Sequence, residues 1–217
     1  MARSKLFYLL IPFLLLGSML PIFRLGTALF GWQAGYLLGF AVYWAVWCLG
    51  VPLALLGRGG FMSIWQERSA LFSRGNWPAA LVFVIITGVT IGMYGAEFSR
   101  ARLLLILVAI PAAVLNGICE ELLWRGLYVS AFPDSPWLGI LYPALGFAFW
   151  HLAPLQIFPA AGGWLPFVIS TLFLGLAYGF IAYRNGSARW TAFSHSLNGI
   201  LALSGMLAPS LLSLFGK

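Results

Sequence analysis

The sequence predicts an all-α fold, a polytopic bundle of about seven transmembrane helices. Hydrophobic residues make up 62% of the 217 positions and charged residues only 8%, and the mean hydropathy is +0.95. A soluble domain of this length would carry about a quarter charged residues. In addition, apolar runs close to the roughly 20 residues that span a bilayer recur along the whole chain. These observations exclude an ordinary soluble protein.

Seven candidate spans follow one another, and together they form a single integral membrane domain over residues 1–217. The spans are 6–23, 33–56, 79–95, 103–131, 137–155, 164–183 and 190–214. The third is short for a membrane span. The fourth is too long for one straight span, which leaves room for a bend, a tilt or a break near Pro111 and for an eighth, half-length helix.

The connections between spans are short, apart from residues 57–78. Phe61, Ile64 and Trp65 fall near one helical face of that segment, as do Leu71 and Phe72. This spacing favours an amphipathic helix lying at the membrane interface, although Arg68 falls on the same face.

The basic residues stand singly near the helix ends, and they indicate how the chain crosses the membrane. With the N-terminus in the cytoplasm, seven basic residues lie inside, as the positive-inside bias requires. They are Arg3, Lys5, Arg58, Arg68, Arg74, Arg184 and Arg189. The four that lie outside are Arg24, Arg100, Arg102 and Lys217. No block of consecutive Lys or Arg is present to track phosphates, so the net charge of +7 does not indicate nucleic-acid binding.

The chain has two cysteines, Cys48 and Cys119, and both fall in apolar segments. Two cysteines can form at most one disulfide bond. We favour two structural thiols packed within helices, where free cysteine behaves as a small hydrophobic residue.

The most informative stretch is ICEELLWRGLY, residues 118–128, because three charged residues interrupt an apolar run there. An ionised group at bilayer depth costs roughly 2.5–17 kcal/mol, so such residues usually line an enclosed or hydrated cavity. Glu121 and Arg125 are four residues apart and can pair on one helical face, while Asn116 can share a face with Glu120. Glu120 has no cation at i+4, and a carboxylate in that position can act as a general base on water.

The two histidines of the chain, His151 and His195, also lie in apolar segments. A lone histidine on an apolar helix is more often a hydrogen-bonded packing residue, and the Glu121–Arg125 pair alone is explained equally well as a lock between helices. A second adjacent acid together with two intramembrane histidines favours a functional site. In straight helices these residues lie at different depths, so bringing them together requires tilted or broken helices.

The order Glu-Glu-x-x-x-Arg, then Phe-x-x-x-His, then a histidine-containing motif resembles the CPBP family of intramembrane endopeptidases. That family includes the CAAX prenyl proteases and the bacteriocin-processing or immunity proteins. The first motif matches Glu120, Glu121 and Arg125, the second matches Phe147 and His151, and the third matches His195. The resemblance covers a catalytic core of about residues 103–205.

The resemblance implies hydrolysis of a peptide bond within the membrane. Glu120 with His151 would activate water, and His195 with Asn198 would donate hydrogen bonds to the oxyanion. The family usually carries Asn or Asp four residues after its histidine, whereas here Gly199 occupies that position and Asn198 comes at three. Neighbouring helical faces allow Asn198 to substitute.

Glu121 and Arg125 would hold the electrostatics and geometry of that site. Spacing alone leaves open which glutamate is the base, and we favour Glu120 because Glu121 has the i+4 partner. No cofactor is expected. Zinc on Glu120, His151 and His195 is the alternative, although the His-Glu-x-x-His zinc motif is absent from the sequence.

We therefore expect an intramembrane protease of the bacterial inner (cytoplasmic) membrane, acting on a membrane-anchored or lipid-modified peptide. Two alternatives stay open. Intramembrane Glu, Arg and His chains also serve a transporter or proton relay. A non-catalytic membrane immunity or scaffold protein could keep the same motif for folding alone.

Overall fold

The computed structural model describes residues 2–160 and 162–206, and within them the chain forms seven helices. These are α1 (Ala2–Phe30), α2 (Trp32–Ser63), α3 (Trp77–Arg100), α4 (Leu103–Ala131), α5 (Trp137–Leu155), α6 (Trp164–Asn185) and α7 (Arg189–Met206). The described residues contain no strand, which confirms the all-α prediction.

Six of these helices are long and apolar enough to cross a membrane. The predicted spans 103–131 and 137–155 coincide with α4 and α5, whereas α3 is longer than the predicted span 79–95. The seventh predicted span, 190–214, begins as α7, and its residues 207–214 lie outside the described residues. The protein is therefore an integral membrane protein with a polytopic helical fold.

Of the bend, tilt or break that the length of the fourth span allowed, the break does not occur, because α4 runs through Pro111 without ending. Proline removes a single backbone donor, and in a bundle the neighbouring groups can compensate for that loss. The irregular part of α4 lies further along, where Leu122–Leu127 forms a wide π-helical turn. The part of the chain that the structure describes has no eighth spanning helix.

The predicted interfacial helix over residues 57–78 is also wrong. Gly57 has φ 66° and ψ 175°, which interrupts α2, and turns and bends follow Ser63. The apolar residues Ile64 and Leu71 of this segment are buried in the protein rather than turned toward lipid. Their spacing therefore reflected packing against the bundle, which an apolar periodicity cannot distinguish from packing against a membrane.

The segment from residue 64 to residue 76, here called the α2–α3 loop, is bound to the turn between α6 and α7. The backbone N–H groups of Arg68 and Ser69 donate to the carbonyl oxygen of Asn185 at 2.8 and 3.2 Å. The Ser187 hydroxyl donates to the carbonyl oxygen of Ile64 at 3.0 Å. The loop is thus fixed to the start of α7.

The α4–α7 pair has the most extensive contact between helices in the described part of the bundle. A glycine makes the close approach possible, because a Cβ atom added at Gly117 would lie 2.5 Å from the Ser196 Oγ and 2.7 Å from its backbone nitrogen. On its other flank α4 joins α1, α2 and α5 in an aromatic-rich core that contains Phe23, Tyr43 and Trp150. Two glutamates on α4 are enclosed between these neighbours.

Candidate active site

Glu120 is buried, with only 1% of its surface exposed, and it accepts hydrogen bonds on both carboxylate oxygens. The indole N–H of Trp150, on α5, donates to Oε1 at 3.0 Å. The amide of Asn116, one turn earlier on α4, donates to Oε2 at 3.1 Å. The i, i+4 contact between Asn116 and Glu120 therefore forms as the spacing predicted.

Glu121 and Arg125 form the predicted ion pair, with 2.8 Å between Oε1 and Nη1. Both side chains are almost fully buried, and the guanidinium lies 4.4 Å from the centre of the Phe147 ring. The second oxygen of Glu121 accepts no hydrogen bond from the described residues. The nearby Thr191 hydroxyl instead donates to the carbonyl oxygen of Ala188. Glu121 is therefore already paired with a residue of its own helix, Arg125.

His195, delivered by α7, lies between the two carboxylates. Its Nδ1 is 2.9 Å from Oε1 of Glu121, and its Nε2 is 3.4 Å from Oε2 of Glu120. An ionised carboxylate can only accept hydrogen bonds, so a proton on Nδ1 points to Glu121. An unprotonated Nε2 would oppose its lone pair to those of an ionised Glu120. A proton on Nε2 would instead be directed at Oε2 of Glu120.

His151 lies beside this cluster, within electrostatic reach of Glu120. Its Nδ1 is 2.8 Å from the carbonyl oxygen of Phe147, which can only accept, so Nδ1 carries the proton. The Phe147 ring packs edge-on against both imidazoles, at 4.7 Å from His151 and 6.0 Å from His195. The lone pair on Nε2 of His151 is then free to accept a hydrogen bond.

Five of the six candidate residues named from the sequence thus lie together: Glu120, Glu121, Arg125, His151 and His195. Asn198 is half-buried on α7, and it makes no hydrogen bond to the others among the described residues. The two thiols are free and buried, as favoured from the sequence; no disulfide joins Cys48 to Cys119.

Three aromatic residues around Glu120 were missed by the sequence reasoning. They are Trp150, which donates to Glu120 directly; Trp44, which donates to Asn116 at 2.9 Å; and Tyr43, whose ring stacks on Trp150 at 3.7 Å. One signal was available, since an indole N–H buried in an apolar helix requires an acceptor. The sequence alone did not show which acceptor that would be.

The alternative zinc site depends on how the donor atoms of Glu120, His151 and His195 are arranged. Among the described residues, no group of three His, Cys, Asp or Glu side chains is placed to hold a metal ion. Both nitrogens of His195 face carboxylates, and both oxygens of Glu120 already accept protein N–H groups. Glu120, His151 and His195 do not form a zinc site in this arrangement.

Comparison with known protein families gives a match over the second half of the chain. Residues 101–201 match the family described as type II CAAX prenyl endopeptidase Rce1-like, a segment that contains all six candidate residues. No curated protein and no solved structure matches the chain. The matched segment overlaps residues 103–205, the part of the sequence that carries the three motifs. Over residues 101–201 the chain is therefore similar to the Rce1-like family of type II CAAX prenyl endopeptidases.

Proposed function

We propose that this protein hydrolyses a peptide bond within the membrane, using a water molecule activated by Glu120. One observation carries the proposal. A buried carboxylate, held by two N–H donors, lies in contact with His195 and beside His151 among apolar helices. Similarity to a protease family over residues 101–201 supports the reaction type, and the geometry supports the assignment of roles.

Glu120 is the better candidate for the base because Glu121 is bound by Arg125 and by His195. A carboxylate has about four lone-pair positions, and Glu120 uses one on each oxygen for Asn116 and Trp150. The remaining lone pair of Oε1 takes one proton from water, while the free Nε2 of His151 accepts a hydrogen bond from the O–H group that remains. The hydroxide so formed attacks the scissile carbonyl carbon.

The contact with Glu120 indicates a role for His195. In the proposed reactive state Glu120 is ionised and Nε2 of His195, which lies 3.4 Å from Oε2 of Glu120, carries a proton. That N–H can donate to the oxyanion that forms on the substrate carbonyl, and Asn198, which has no hydrogen bond within the cluster, is the second donor. As the carbon–nitrogen bond breaks, the leaving amine takes the proton from Glu120. Water has then been added across the peptide bond.

The substrate class follows from the location of the site. Glu120 is buried among spans of the bundle, so the scissile bond has to belong to a peptide held in or against the bilayer. We propose a membrane-anchored or lipid-modified peptide, and a bacterial inner membrane as the site of action. A peptide with a farnesylated cysteine followed by three residues is the natural first probe, given the family description.

Cleavage of that probe, in fluorescence-quenched form, by purified protein in liposomes tests the proposal. We expect Glu120→Gln to abolish cleavage while insertion and melting temperature are kept, and Glu97→Gln, at an exposed position on α3, to leave cleavage unchanged. Full activity of Glu120→Gln would refute the glutamate mechanism. Loss of wild-type activity on treatment with a chelator, restored by zinc, would favour a metal mechanism instead.

A second measurement requires no assumption about the lipid group. The C-termini of membrane peptides can be compared by mass spectrometry in cells that carry the wild-type protein or Glu120→Ala. Altered termini are expected from a protease. Unchanged termini at equal expression would contradict the protease reading, and flux of an ion or solute that is lost in Glu120→Ala would identify a transporter. A phenotype that Glu120→Ala leaves intact would indicate a scaffold or immunity protein.

A further inference from the structure

A hydrogen-bonded chain reaches Glu120 from α2, a helix outside the segment that matches the family. The indole N–H of Trp44 donates to Oδ1 of Asn116 at 2.9 Å, and Nδ2 of Asn116 donates to Oε2 of Glu120 at 3.1 Å. In both hydrogen bonds the donor lies on the Trp44 side and the acceptor on the Glu120 side. The chain therefore ends on the carboxylate that the proposed function uses as base.

The direction of this chain is set by Trp44. A side-chain amide can turn by 180° and exchange its oxygen and nitrogen with little change of shape. An indole N–H can only donate, so it accepts just one orientation of the Asn116 amide, with Oδ1 toward Trp44. The NH₂ group of Asn116 is then directed at Glu120. In the opposite orientation the amide oxygen would face the carboxylate and repel it.

We propose that Trp44 is a positioning residue for the reaction, because it fixes the orientation of the Asn116 amide and through it the carboxylate of Glu120. This inference rests on the proposed function of Glu120 as the base. Without the indole N–H, the amide can turn, and Oε2 of Glu120 loses its donor for part of the time. The carboxylate is then less often in the geometry that leaves Oε1 free for water.

The opposite side of Glu120 is held by aromatic packing. Trp150, the donor to Oε1, stacks on Tyr43 at 3.7 Å, and the Tyr43 hydroxyl accepts a hydrogen bond from Trp124 at 2.8 Å. Tyr43 and Trp44 are adjacent on the wide turn of α2, Tyr43–Gly50. This turn supports the donors to both oxygens of Glu120, so α2 contributes to the site without touching the carboxylate itself.

Replacement of Trp44 by Phe tests the proposal, since it keeps the ring and removes the N–H. We expect kcat for the farnesylated probe to fall about tenfold, the effect of losing one hydrogen bond in the transition state, with KM changed less than about twofold. Trp47→Phe is the matched control on the same turn, because the Trp47 indole makes no hydrogen bond within the described residues. Its kcat should equal that of the wild type.

A double-mutant cycle separates positioning from a general effect on packing. Asn116→Ala removes the group through which Trp44 acts, so adding Trp44→Phe to it should lower kcat no further. Effects of the two substitutions that multiply would overturn the proposal, as would equal kcat values for Trp44→Phe and Trp47→Phe. Activity retained by Glu120→Gln would instead refute the proposed function, so the two failures are distinguishable.

An infrared measurement decides the inference even where the wild-type protein leaves the probe uncut. The difference spectrum between wild type and Glu120→Gln isolates the carboxyl band of Glu120. We expect Trp44→Phe to shift or broaden that band and Trp47→Phe to leave it unchanged. A band unaffected by Trp44→Phe would show that the indole does not control the carboxylate.

Discussion

Replacing Arg125 by Met should strongly destabilise the protein, because it leaves a carboxylate buried without its cation. Arg125 is 1% exposed and Glu121 0% exposed, with 2.8 Å between the charged atoms. Removing one partner of a buried ion pair typically costs about 3–5 kcal/mol. For a chain of this size, that corresponds to a fall in melting temperature of about 6–20 °C. The methionine side chain has nearly the volume of the arginine side chain, so the fall in melting temperature reports mainly the loss of the positive charge.

Two controls accompany thermal unfolding of this variant in detergent. Arg102→Met removes a charge at an exposed position before α4, and it should change the melting temperature little. Combining Arg125→Met with Glu121→Gln removes both charges, and it should recover part of the lost stability. Equal effects of Arg125→Met and Arg102→Met, or a double variant as unstable as the single one, would refute the idea of an enclosed ion pair.

Two further predictions concern α7 and its neighbour. Gly117→Ala places a methyl group against Ser196, so it should destabilise the protein by about 1–3 kcal/mol in thermal unfolding, while Gly92→Ala, which meets nothing within 4 Å, should be neutral. Equal stability of these two variants would contradict the close α4–α7 contact. Asn198→Ala should lower kcat about 100-fold with an unchanged melting temperature, since its amide acts only when an oxyanion is present. A wild-type kcat for Asn198→Ala would remove that residue from the site.

The contacts that could be predicted from the sequence are those within one helix. Spacing of four residues along α4 predicts both Glu121 with Arg125 and Asn116 with Glu120, since the helical repeat fixes which side chains share a face. The positions of the spans were predictable for a similar reason, because bilayer thickness fixes the length of an apolar run. These parts of the prediction depend on local geometry alone.

Contacts between helices could not be predicted in this way. That Trp44 would reach Asn116, and Trp150 would reach Glu120, depends on how far each helix is rotated and displaced along its axis. Packing of the whole bundle sets those quantities, and wide turns such as Leu122–Leu127 change them locally. The difference in depth expected for His195 and His151 was resolved by the same packing, since one ring, that of Phe147, contacts both imidazoles.

The binding of the α2–α3 loop to the turn before α7 has a mechanical consequence. Ala188 donates to the carbonyl oxygen of Ile64 at 3.0 Å, and it lies only seven positions ahead of His195 on a nearly continuous helix. The loop is therefore bonded to the first turn of the helix that carries the imidazole between the two acids. Substitutions in a segment remote from the site in sequence can thus alter the position of His195 through the backbone of α7.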